Sequence, residues 1–209
     1  MKSIASQFRT VTPVLLISYL LVFLSQLLVI IISTAKDIPL DHFTQDPVAL
    51  MNSPFYLGAF SNIGVMFWSA SAIICIFTAY ILKIKQSGTY HFRYLIVSGL
   101  VTLLLAFDDM FLLHEDVLPH FLRIPENAVI VTYINIFILY LILFRRQILS
   151  SEFLVLFMAF FLLGLSTVID ILPLPLEKDS FLEDAIKLFG VVSWFIYFYR
   201  YSKRLLLIS

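Results

Sequence analysis

Residues 13–33 read PVLLISYLLVFLSQLLVIIIS, a run without a single charged side chain. A helix rises 1.5 Å per residue, so this stretch reaches about 30 Å, the thickness of a bilayer's hydrocarbon core. Lys2 and Arg9 stand before it, as basic residues stand before a signal peptide. The run is too long for the apolar core of such a peptide, and no small-residue cleavage site follows it cleanly. It is read as a first membrane span.

Five more runs of the same kind follow, at about 55–82, 94–118, 128–144, 153–172 and 181–199. Ser53 before Pro54 predicts a helix start for the second, with Pro at the first helical position. Pro173 and Pro175 stop the fifth, and Ser180 with Glu183 has capping-box spacing for the sixth. Composition agrees with burial in lipid. Of the 209 residues 61% are hydrophobic and 13% charged, against about 25% charged in soluble domains. The expected fold is all-α: an integral membrane bundle of six transmembrane helices, a single domain over 1–209, with no repeat and no low-complexity tract. Lys83, Lys85, Arg93, Arg145, Arg146, Arg200, Lys203 and Arg204 fall on one side with Lys2 and Arg9. The other side has Lys36, Arg123 and Lys178. Basic loops stay in the cytoplasm, so both termini are expected inside.

The formal net charge is zero, which leaves no basic excess to hold a nucleic acid. Cys75 is the lone cysteine, so neither a disulfide framework nor a cysteine metal site is expected. The chain lacks a Gly-x-Ser-x-Gly elbow, a phosphate-binding loop and a dinucleotide fingerprint, so no nucleotide cofactor is expected. Membrane lipid is the expected surroundings, with protein partners or a second copy of the chain as further possibilities.

Charged residues inside spans are costly and mark sites by default. Asp108 falls about 21 Å along the third span, some 10 Å below the outer boundary. Asp109 is beside it, and His114 and Glu115 follow. Asp170 on the fifth span, and Glu183, Asp184 and Lys187 on the sixth, come to a similar level. Asn62 and Ser69 on the second span are placed to support them. In one unbroken helix Asp108 and Glu115 share a face, as do Asp109 and Asp116. Glu183 and Lys187, four apart, are spaced to pair. The third span carries more acid than base, so it needs Lys187, a bound cation or a shared proton nearby.

The run Asp108-Asp109-Met-Phe-Leu-Leu-His114-Glu115 is similar to an Asp-Glu-x-x-x-x-His-Glu signature. That signature belongs to a family of uncharacterised bacterial multi-pass membrane proteins. The resemblance continues through Asn62 to Ser69 and through Phe181 to Tyr201, about a third of the chain. Asp109 and Lys187 depart from the pattern, where Glu and a further acid are expected. The resemblance implies a bacterial inner membrane and no known activity.

Three readings stay open. One is a metal-assisted enzyme acting on a lipid or small amphiphile at the outer face. Asp108, Asp109, His114, Glu115, Asp170 and Glu183 would hold a divalent metal, and Glu115 or His114 would carry the proton. The second is an accessory or scaffold subunit of a membrane complex, with the acids as ties between helices. The third is a transporter or proton-handling protein, which requires polar groups in the inner halves of the spans. Those halves read as mostly apolar, with Ser98 among the few exceptions.

Overall fold

Every regular element in the computed structural model is helical, and no strand occurs among the described residues. Those residues are 4–44, 47–54, 56–85, 89–171 and 179–208. Two compact units divide the chain, Met1–Leu57 and Gly58–Ser209.

The first unit is built on α1, Ile4–Lys36, which takes Pro13 into its body. Leu20, Leu21, Val22, Phe23 and Leu24 are all exposed. They point around the whole circumference, as on a helix whose solvent is lipid. Asp37 ends α1 with a left-handed backbone, φ 54. The Ile38 N–H then donates to the Ser33 carbonyl at 3.0 Å, and the Ser33 hydroxyl to the Ile38 carbonyl at 2.6 Å. The first bond satisfies a carbonyl that the helix end would leave bare, and the second ties the chain beyond the helix back to its last turn. Two short helices follow, α2 (Asp41–Thr44) and α3 (Pro47–Leu50).

The second unit holds α4 (Ala59–Ile84), α5 (Thr89–Phe111), a π-helical turn (Leu113–Val117) and α6 (Leu118–Leu122). It continues with α7 (Glu126–Leu149), α8 (Phe153–Ile171) and α9 (Asp179–Ile208). Five helices, α1, α4, α5, α7 and α8, are long and apolar enough to cross a membrane. The sixth expected span, α9, is long, but only twelve residues separate Lys187 from Arg200. That is about 20 Å of rise, short of a full crossing.

Two expected boundaries move. The second run starts its helix at Ala59 rather than behind Ser53, because Gly58 takes φ 68 immediately before it. A turn closed by the Leu57 N–H on the Pro54 carbonyl, 3.0 Å, occupies the expected first turn. The third run does not continue to 118. Leu112 takes φ 50 and ends α5 at Phe111, and the chain re-enters helix through the π turn. Neither Gly nor Pro marks this break. The stop at Pro173 and Pro175, and the Ser180 side chain of the expected capping box, lie outside the described residues.

Within the second unit α4 packs on α5 and α9, and α8 packs on α9. Lipid tails give helices no hydrophobic reason to associate, so close fit must do it. Gly99 and Gly190 supply that fit. A Cβ at Gly99 would stand 2.6 Å from Ile76 Cγ1 and 3.2 Å from the Ala72 carbonyl on α4. One at Gly190 would meet Leu163 of α8 at 2.9 Å. The Gly99→Val protein is therefore expected to lose about 1–3 kcal/mol by overpacking, read as a lowered midpoint of unfolding in detergent. An unchanged midpoint would mean that α4 and α5 do not approach this closely. Aromatic rings fill the centre: Trp194 meets Trp68 edge-on at 5.6 Å and Phe160 at 5.3 Å.

Candidate functional site

The antiparallel helices of the second unit sort its charges to opposite ends. Lys83, Arg93, Arg146, Arg200 and Arg204 lie toward one end, where Glu152 bonds Arg200 and His91 bonds Tyr201. Asp108, Asp109, Asp170, Glu183 and Lys187 lie toward the other.

At the acidic end the break at Leu112 creates the first constellation. Asp108, buried in the last turn of α5, faces back onto the residues beyond the break. Its Oδ1 accepts the backbone N–H of His114 at 3.0 Å and the Tyr133 hydroxyl, from α7, at 2.9 Å. Its Oδ2 accepts Nδ1–H of His114 at 2.7 Å. A carboxylate only accepts, so Nδ1 carries the proton and Nε2 is left for other work. Nε2 lies 3.5 Å from Glu115, and the His114 side chain keeps 20% of its surface open. The Asp108 hydrogen bond raises the pKa of His114 above the ordinary histidine value, against an opposing effect of partial burial.

Asp109 takes a different partner. Its Oδ1 receives the Lys187 ammonium of α9 at 2.5 Å, and only 6% of the Asp109 side chain is exposed. The expected Glu183–Lys187 pairing within α9 is replaced by this bond between helices, since Lys187 reaches a buried, otherwise uncompensated carboxylate. Lys187, Asp109 and Asp184 line a small open recess with Ser61, Gly64 and Phe60 of α4. A Cβ at Gly64 would sit 3.4 Å from Asp109 Oδ2, so the glycine leaves room beside the carboxylate.

The remaining predicted residues join more loosely. Glu183 stands in the fields of Asp170, Asp184, Lys187 and Glu115. Asp170, at the end of α8, and Glu115 are exposed. Asn62 is exposed in the first turn of α4 and Ser69 is half-buried two turns on; neither lines the recess. Among the described residues no group of three His, Cys, Asp or Glu side chains converges as metal ligands must. Asp109 and Asp116 do not share a face, because the helix between them is broken; Asp116 instead bonds His120 at 2.8 Å.

Sequence reasoning missed a second polar network, in the half of the unit expected to be apolar. The Trp194 indole N–H donates to Thr102 Oγ1 at 3.0 Å, and that hydroxyl to the Ser98 carbonyl at 2.7 Å. Ser98 Oγ donates to the Tyr94 carbonyl and meets the Tyr140 hydroxyl, both at 2.7 Å. The Tyr94 and Tyr197 hydroxyls are 2.8 Å apart, and Tyr197 is 2.8 Å from Ser151 Oγ, which donates to the Ile148 carbonyl. With Tyr140 donating to Ser98, Tyr94 to Tyr197 and Tyr197 to Ser151, each donor reaches an acceptor and the series ends on backbone carbonyls. The residues come from α5, α7, α9 and the turn before α8. The available signal was tyrosine at 94, 140 and 197, at or near the ends of apolar runs, since a phenol that becomes buried there needs a partner.

Long apolar helices, with the two buried acids of α5 paired, define the class as a helical protein of integral-membrane type. Residues 14–201 match a family described as a domain of unknown function, DUF8692. The chain belongs to that family. No curated protein and no solved structure matches it.

Proposed function

We propose that the chain is a six-span protein of a bacterial cytoplasmic membrane, basic end inside, and that its acidic end is an acid–base site for a lipid or small amphiphile. The observation that carries this reading is the orientation of His114. Asp108 fixes one ring nitrogen and leaves the other open beside Glu115. A carboxylate that holds an imidazole in one tautomer is the usual support of a proton carrier. Asp109 and Lys187 set a neutral pair next to it, and this neutralisation supports α9 as a sixth span. The recess beside Gly64 gives a polar headgroup a place to enter.

The test is reconstitution with a total lipid extract of a bacterial membrane, followed by mass spectrometry of the lipids. The wild-type protein is expected to convert a lipid or amphiphile, and the His114→Gln protein to leave it unconverted. Identical extracts after both treatments would remove the enzyme reading.

A second reading gains from the buried hydroxyls. Proton handling requires polar groups in the half where Ser98, Tyr140, Tyr94, Tyr197 and Ser151 lie. Two helical turns, about 10 Å, separate Thr102 from Asp109, with Ala106 between them. Acid-driven proton flux in liposomes, lost in Tyr197→Phe, would favour this reading over the first.

A further inference from the structure

The basic end holds a recess that the acid–base reading does not use. Ser151, Glu152, Tyr197, Arg200, Tyr201 and Arg204 line it, and it opens to the surface. Glu152, in the turn between α7 and α8, places one oxygen 2.6 Å from the Arg200 Nη2 and its other oxygen on Nε. This is the two-pronged grip that a guanidinium gives to any planar or tetrahedral oxyanion. Arg204, one turn further along α9, also bears on Glu152 electrostatically. It forms no ion pair among the described residues. The recess thus has two guanidinium groups against one carboxylate, with hydroxyls in its wall.

We infer that this recess takes a phosphate group at the membrane surface, with Glu152 standing where the phosphate oxygens bind. Phosphate has more charge and more acceptor oxygens than a carboxylate. It can engage Arg204 while Arg200 exchanges Glu152 for it. The recess lies at the ends of membrane-length helices, at the level where lipid headgroups sit. The phosphodiester of an anionic lipid is therefore the natural ligand, and a soluble phosphate offers the same chemistry from the aqueous side. The inference does not depend on the acid–base reading, since the two sites are at opposite ends of the unit.

The experiment measures the thermal unfolding midpoint of the whole protein in neutral detergent. Phosphatidylglycerol, phosphatidylcholine, inorganic phosphate or glycerol 3-phosphate is added. A ligand that binds only the folded state raises the midpoint in a concentration-dependent way. Phosphatidylglycerol is expected to raise it at concentrations where phosphatidylcholine does not. The Arg204→Ala protein is expected to need about fivefold more lipid for the same shift. The Glu152→Gln protein is expected to need less, because Arg200 is released. A matching shift from either soluble phosphate assigns the site to a free ligand; a shift confined to the lipid assigns it to the bilayer. The inference fails if no phosphate source shifts the midpoint, or if the response is unchanged in both variants.

Discussion

The Lys187→Met protein is expected to lose about 3 kcal/mol of stability, the lower end of the range for stripping one partner from a buried ion pair. Asp109 lies almost wholly inside the protein, and Lys187 is its one cationic partner among the described residues. Without it the carboxylate is left charged among apolar side chains, or must take up a proton. The 31% exposure of Lys187 lets water soften the loss, which sets the estimate at that lower end. Adding Asp109→Asn to Lys187→Met should restore most of the stability, because no buried charge then remains. Unfolding of the two single variants and the double variant in mixed micelles closes the cycle. A loss below about 0.5 kcal/mol in Lys187→Met would place the pair among solvated surface contacts.

The second large effect belongs to Asp108→Asn. The wild-type carboxylate holds the proton on His114 and raises its pKa. The amide cannot, so the imidazole should titrate nearer the ordinary value of about 6.5. The sign follows from linkage: a histidine whose pKa is raised on folding binds more protons in the folded state. Its contribution to stability is fully present below pH ~6.5 and is lost as pH rises through the raised value. Between those limits the wild-type protein should weaken with pH, while Asp108→Asn should be flat. Any reaction that uses His114 as proton carrier should slow by about 10²–10⁴-fold. Nitrogen chemical shifts of labelled histidine across the pH range measure the titration directly. Coincident curves for wild type and variant would show that Asp108 does not govern His114.

Much of this was readable before any coordinates. Runs of apolar residues announce helices of membrane length, since the crossing distance divided by the rise leaves little choice. The need of the α5 acids for positive neighbours followed from desolvation cost alone, and Lys187 was one of the candidate partners. Its choice of Asp109 over Glu183 was not legible, because that depends on which face of α9 meets α5. The break at Leu112 left no trace: leucine is a good helix former, and its left-handed backbone is held by what surrounds it, not by preference. The hydroxyl series was hidden by arithmetic. Tyrosine counts toward the hydrophobic share of the chain, yet Tyr94, Tyr140 and Tyr197 each bring a polar tip into the interior.

The turn at Leu112 has one more consequence. In an uninterrupted helix, six residues advance about 600° around the axis, so positions 108 and 114 would diverge by roughly 120°. Asp108 could not then touch the imidazole. Termination of α5 and assembly of the dyad are therefore one event, decided by the rotation of a single backbone unit. Straightening that unit dismantles the centre while leaving every one of its side chains in place along the chain.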